Sequence, residues 1–93
     1  MATLIIFHEV EDGQRWASAW EIGPGSRHEL FARIGVTARN FRDPNNPNST
    51  GVIFEVPDME KFQSLMESDE GKKAMSEDRL KIDTLRILAE FTP

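Results

Sequence analysis

The chain has 93 residues, a formal charge of −5 and a pI near 4.9; 39% of its residues are hydrophobic and 29% charged. That length makes one small domain, which buries only about 60–65% of its unfolded surface and would gain from further burial against a partner. The composition excludes a disordered chain, and the absence of cysteine excludes disulfides, thiolate metal sites and cysteine nucleophiles.

The first apolar run, "TLIIFHEV" (Thr3 to Val10), is rich in β-branched and aromatic residues and ends at "EDG". It predicts a strand closed by a turn. The start of the chain lacks a basic region ahead of a long apolar one, so no secretory leader is expected and a cytoplasmic location is the default. No stretch of about 18 apolar residues occurs, so no membrane partner is expected. In "DGQRWASAWEI", Asp12 is placed to cap a helix carrying Trp16 and Trp20 one turn apart. "GPG" breaks that helix. Ser26, with Glu29 three residues on, restarts it at capping-box spacing, and Gly35 is placed to end it.

"VTARNFR" (Val36 to Arg42) predicts a second strand, diluted by polar residues. "DPNNPNSTG" (Asp43 to Gly51) is dense in turn formers and predicts a projecting loop. "VIFEV" (Val52 to Val56) predicts a third strand, so the loop joins a hairpin. Asp58 then caps a second helix, "DMEKFQSLMES", with Phe62, Leu65 and Met66 on one face. "DEGKKAMSEDRL" either continues that helix or forms a short one of its own. "DTLRILAEF" (Asp83 to Phe91) predicts the last strand. The order βαββαβ closes, with right-handed crossovers, as a ferredoxin-like α+β fold: a four-stranded antiparallel sheet with both helices on one face.

Strands covered on one face should alternate apolar with polar, and these do so imperfectly. After the helices take one set, Ile53, Leu88, Phe41 and either Ile6 or Phe7 remain on the open face. Such a patch exceeds what soluble monomers tolerate, so a homodimer through the open sheet face is expected. The segments "FHEVEDGQRWASAW", "RNFRDPNNPN", "VIFEVPDMEKFQSLMES" and "TLRILAEF" together resemble the dimeric α+β barrel superfamily. They most resemble its small stand-alone proteins related to antibiotic-biosynthesis monooxygenases. The resemblance spans nearly the whole chain and implies a fold and a dimer. It implies no particular reaction, because the superfamily holds cofactor-free monooxygenases, haem-degrading enzymes, isomerases and ligand-binding regulators.

His8 is the one candidate for catalysis. Read by parity it is assigned to the open face, where it would serve as a general base or orient a ligand. The plainer reading, which carries more weight, is a core histidine bonded to Glu55 or a backbone carbonyl. Arg39, Glu55, Arg86 and Glu90 fall on the same expected face. They form either a ligand-binding set with Phe41 or, as the heavier alternative, ion pairs across the interface. Trp16 and Trp20 either wall an apolar pocket or, more simply, pack a helix on the sheet. His28 reads as a solvated side chain, and Phe31 and Phe62 as core.

No cofactor or metal is expected: the two histidines lack ligand spacing and "GPGS" is neither a dinucleotide fingerprint nor a P-loop. Nucleic acid is not expected either, given the acidic balance and scattered basic residues, with Lys72–Lys73 the only adjacent pair. The phosphate loop of an acylphosphatase and the stacking aromatics of an RNA-recognition module are both missing. Two functions therefore stand side by side. The first is a homodimeric barrel protein binding a small apolar or carbonyl-bearing ligand between sheet and helices. The alternative is a cofactor-independent monooxygenase or isomerase using His8 as acid and base. A cavity reaching His8 is the observation that separates them.

Overall fold

A computed structural model describes residues 2–93. The elements run β1 (Ala2–Val10), α1 (Gly13–Ala19), α2 (Arg27–Ala32), β2 (Thr37–Asp43), β3 (Asn46–Val56), α3 (Met59–Glu67), α4 (Asp69–Glu77) and β4 (Leu80–Ala89). The four strands form one antiparallel sheet in the order β2-β3-β1-β4, with the helices on one face. This is the ferredoxin-like α+β arrangement.

The helix starts follow from their caps. Asp12 accepts from the amides of Gln14 and Arg15, Ser26 from that of Glu29, and Asp58 from those of Glu60 and Lys61. Each satisfies amides that have no partner within the first turn. Gly35 takes a left-handed φ of 76° just past α2, which a side chain would disfavour. The stretch after α3 is a separate helix because Ser68 is extended (φ −70°, ψ 162°), and its hydroxyl accepts from Gly71 to cap α4.

The core lies between sheet and helices. Leu4, Ile6 and Val10 of β1, with Val52, Phe54 and Val56 of β3, face Trp16, Trp20, Phe31 and Phe62. The rings of Phe31, Phe54 and Phe62 pack at centroid distances of 4.8–6.0 Å, within the range where aromatic pairs add to area burial. His28 corrects the reading of it as a solvated side chain: it is half-buried, edge-on to Trp20 at 5.0 Å.

The hairpin corrects the expectation of a projecting loop. The turn is only Pro44–Asn45, and β3 begins at Asn46. Its end is docked on the start of α1. Gly13 donates its amide to Asn48 Oδ1 at 2.8 Å and accepts on its carbonyl from Arg42 at 3.2 Å. A Cβ at Gly13 would collide with the Pro47 carbonyl, so glycine permits this approach.

Candidate functional site

Parity along β1 decides where His8 points. Opposite residues of an antiparallel pair share a face, and the register sets His8 against Thr50, Ile6 against Val52 and Leu4 against Phe54. His8 therefore lies on the helix-covered face. This corrects its assignment to the open face, where Phe7 stands instead, opposite Arg86 and Gly51.

A cavity of about 600 Å³ lies between sheet and helices, and His8, Trp16 and Trp20 all line it. It exists because α4 offers the sheet little bulk: its buried residues are Gly71 and Ala74. Gly71 is itself fixed, since a Cβ there would strike the Leu65 carbonyl. The lining is predominantly apolar, and the cavity is flanked on the β4 side by Ile82 and Ile87, both exposed. Across from His8 the β1–β4 ladder is interrupted. There Thr84 Oγ1 accepts from the Glu9 amide and donates to the Lys81 carbonyl.

The bonds of His8 fix its tautomer. Thr50 Oγ1 lies 2.6 Å from His8 Nδ1 and 2.9 Å from the His8 carbonyl oxygen. A hydroxyl has one proton, and the carbonyl can only accept it. The contact with the ring is then Nδ1–H donating to Oγ1, which leaves Nε2 as a bare lone pair. Nε2 makes no hydrogen bond among the described residues, in a residue that is 7% exposed and lines the cavity. Burial holds the imidazole below its ordinary pKa of 6.5. Hydrogen bonding to backbone at His8 and Thr50 and the charge of Asp78 oppose this without cancelling it. At neutral pH His8 is an uncharged base with a fixed tautomer.

Two further polar features stand in the lining, which also holds Gln63 and Glu67. The Trp16 Nε1–H is buried and without a protein partner among the described residues, beside His8 at a ring distance of 6.0 Å. A buried donor left unpaired costs about 1–3 kcal/mol. Arg27 and Asp78 form a forked pair, Nε to Oδ2 at 2.9 Å and Nη2 to Oδ1 at 2.8 Å, and both line the cavity.

The remaining expected site residues do not reach this cavity. Arg39, Phe41, Glu55 and Arg86 lie on the opposite face with Ile5, Phe7, Ile53 and Leu88, as strand parity and register require. Glu55 accepts from the Thr3 hydroxyl at 2.7 Å, and no ion pair joins Glu55 to Arg39 or Arg86 among the described residues. The expected ligand set is thus split by the sheet: His8, Trp16 and Trp20 on one side, the other four on the other. Thr50, Arg27 and Asp78 were not anticipated. Thr50 would have been found by extending the alternation of Val52 and Phe54 back two residues; Arg27 and Asp78, 51 residues apart, carry no local signal. Among the described residues no three metal-ligating side chains stand together, and no helix is long and apolar enough to cross a membrane.

No family model and no curated protein matches the chain. The solved structures that resemble it in fold include the following two. One is an antibiotic biosynthesis monooxygenase, at TM-score 0.65 and 12% identity, covering 100% of this chain and 99% of that one. The other is an ethyl tert-butyl ether d (EthD) family protein from Bacillus halodurans C-125, at TM-score 0.53 and 19% identity, covering 100% of both. The fold is theirs. It is the ferredoxin-like α+β fold expected from the sequence, and identities this low carry nothing about activity.

Proposed function

We propose that this protein binds a small, largely apolar molecule bearing a hydroxyl group in the cavity between sheet and helices. The observation that carries this is the bare Nε2 of His8, held by Thr50 on the wall of an apolar cavity of about 600 Å³. Sites of this kind orient a guest by a few placed polar groups within apolar walls. Nε2 accepts from a hydroxyl. Naphthol and naphthalene test this, because they differ only in the hydroxyl. Fluorescence titration should show naphthol binding at least ten-fold more tightly, with the preference lost in His8→Leu. Equal affinities for wild type would refute it.

The same nitrogen favours a second reading, a cofactor-independent isomerase or monooxygenase with His8 as acid and base. A general base must be unprotonated at working pH and within reach of its substrate; the lowered pKa of His8 and its place on the cavity wall support this reading. In isomerisation the proton taken by Nε2 returns to another atom of the same molecule; in monooxygenation the co-reactant is dioxygen. Oxygen uptake with a hydroquinone, lost in folded His8→Leu, would support monooxygenation.

The dimer belongs to this proposal. Phe7, Phe41 and Leu88 are 45%, 50% and 46% exposed on the open face, beside half-buried Ile5 and Ile53. Arg39, Arg86 and Glu55 share that face and offer both signs of charge for pairing between two copies. Light scattering at micromolar concentration should report about twice 10.6 kDa; a stable monomer would refute this part.

A further inference from the structure

The wall of the cavity formed by α4 is held differently from the rest of the fold. Three arginines on the α1 and α2 side reach across to it. Arg15 Nε donates to the Glu77 carbonyl at 2.7 Å, Arg27 forks onto Asp78, and Arg33 Nη2 meets Glu70 at 2.9 Å. Against these links, α4 buries only Gly71 and Ala74 and half-buries Met75. Opening it would therefore expose little apolar surface of α4 itself, which favours low-cost local opening. Its ends are also marked. Ser68 is extended, and Arg79 has a φ of 54°, a left-handed conformation uncommon outside glycine, asparagine and aspartate. Outside this seam lies a cleft of about 450 Å³ between α2 and α4. Arg27, Leu30 and Ala74 line both the cleft and the inner cavity, so the partition is a single layer of side chains.

We infer that α4 is a hinged cover, closed by arginine links, and that the guest of the cavity passes through the parted α2–α4 seam. The inference rests on the cavity being the binding site. Polar links exchange their partners for water at small net cost, whereas large apolar anchors do not. A cover fastened in this way swings without unfolding the core.

The chain has two tryptophans, Trp16 and Trp20, both lining the cavity, and no cysteine. Quenching of their fluorescence by acrylamide therefore reports opening without any ligand. Arg33→Cys combined with Glu70→Cys, bridged by a short bismaleimide, pins the seam at a surface-exposed pair. Bridging should lower the quenching constant and slow naphthol association, each several-fold relative to the unbridged double variant. Arg27→Met should raise both; if that variant fails to fold, the bridged protein still decides. Unchanged quenching and unchanged association on bridging would place the route along the β4 edge and overturn the inference. Reduced quenching on bridging, with naphthol binding neither form, would leave the cover standing and refute the ligand reading instead.

Discussion

Replacing Thr50 with valine tests the arrangement that gives His8 its character. Valine keeps the shape of the buried threonine, so no void opens, and the loss is confined to two hydrogen bonds of 2.6 and 2.9 Å. The Nδ1–H is left without an acceptor at a cost of about 1–3 kcal/mol, offset in part by removal of a buried hydroxyl. A net loss of about 1–2 kcal/mol follows, or roughly 5–15 °C in Tm for a domain of this size. Urea and thermal unfolding measure it. The imidazole nitrogen resonances should show the single neutral tautomer giving way to a mixture. Wild-type stability should be full above the ordinary histidine pKa of 6.5 and should decline as pH falls below it, through the lowered native value. Over that window the unfolded chain takes up a proton that native His8 resists. A Thr50→Val protein within about 0.5 kcal/mol of wild type, with the tautomer unchanged, would refute the assignment of the bonds.

Other expected outcomes bear on the pair, the face and the hairpin. Asp78→Ala leaves the Arg27 guanidinium, whose side chain is only 16% exposed, without its partner. Breaking a fully buried pair costs about 3–5 kcal/mol, so a loss of about 2–3 kcal/mol is expected by urea unfolding, together with a lower His8 pKa by NMR titration. Arg33→Ala, at an exposed pair, should leave the Tm unchanged. Leu88→Arg sets a charge in the open apolar face and should give a monomer by light scattering, against the proposed dimer of the wild type, without loss of helical circular dichroism. Two glycines inserted between Pro44 and Asn45 double the turn, at about 0.6 kcal/mol. The docking through Asn48 lies beyond the insertion, so a loss of several kcal/mol would show that the tip itself is held.

The strand order, the caps at Asp12, Ser26 and Asp58 and the stop at Gly35 were legible because each is a local signal at a fixed spacing. The face of β1 was not. Leu4, Ile6 and Val10 alternate with Ile5 and Phe7, so both faces are apolar and parity alone cannot say which one the helices cover. Only the register against β3, whose Val52, Phe54 and Val56 form an unmixed apolar face, assigns His8 to the cavity. The hairpin misled for a related reason. Its prolines and asparagines favour a loop locally, but the Gly13 contacts with Asn48 and Arg42 hold the segment as strand. The cavity itself follows from what α4 lacks, bulk at Gly71 and Ala74, and no pattern in a sequence announces an unfilled volume.

The central claim is that His8 presents an unprotonated Nε2 to an apolar cavity that accepts a hydroxyl-bearing guest. Long-range nitrogen–proton NMR of the histidine rings at neutral pH, with and without naphthol, tests it most directly. The free protein should show a protonated Nδ1 and a bare Nε2, and the Nε2 resonance should move with naphthol and not with naphthalene. A neutral ring protonated at Nε2, or a bare Nε2 indifferent to naphthol, would contradict it.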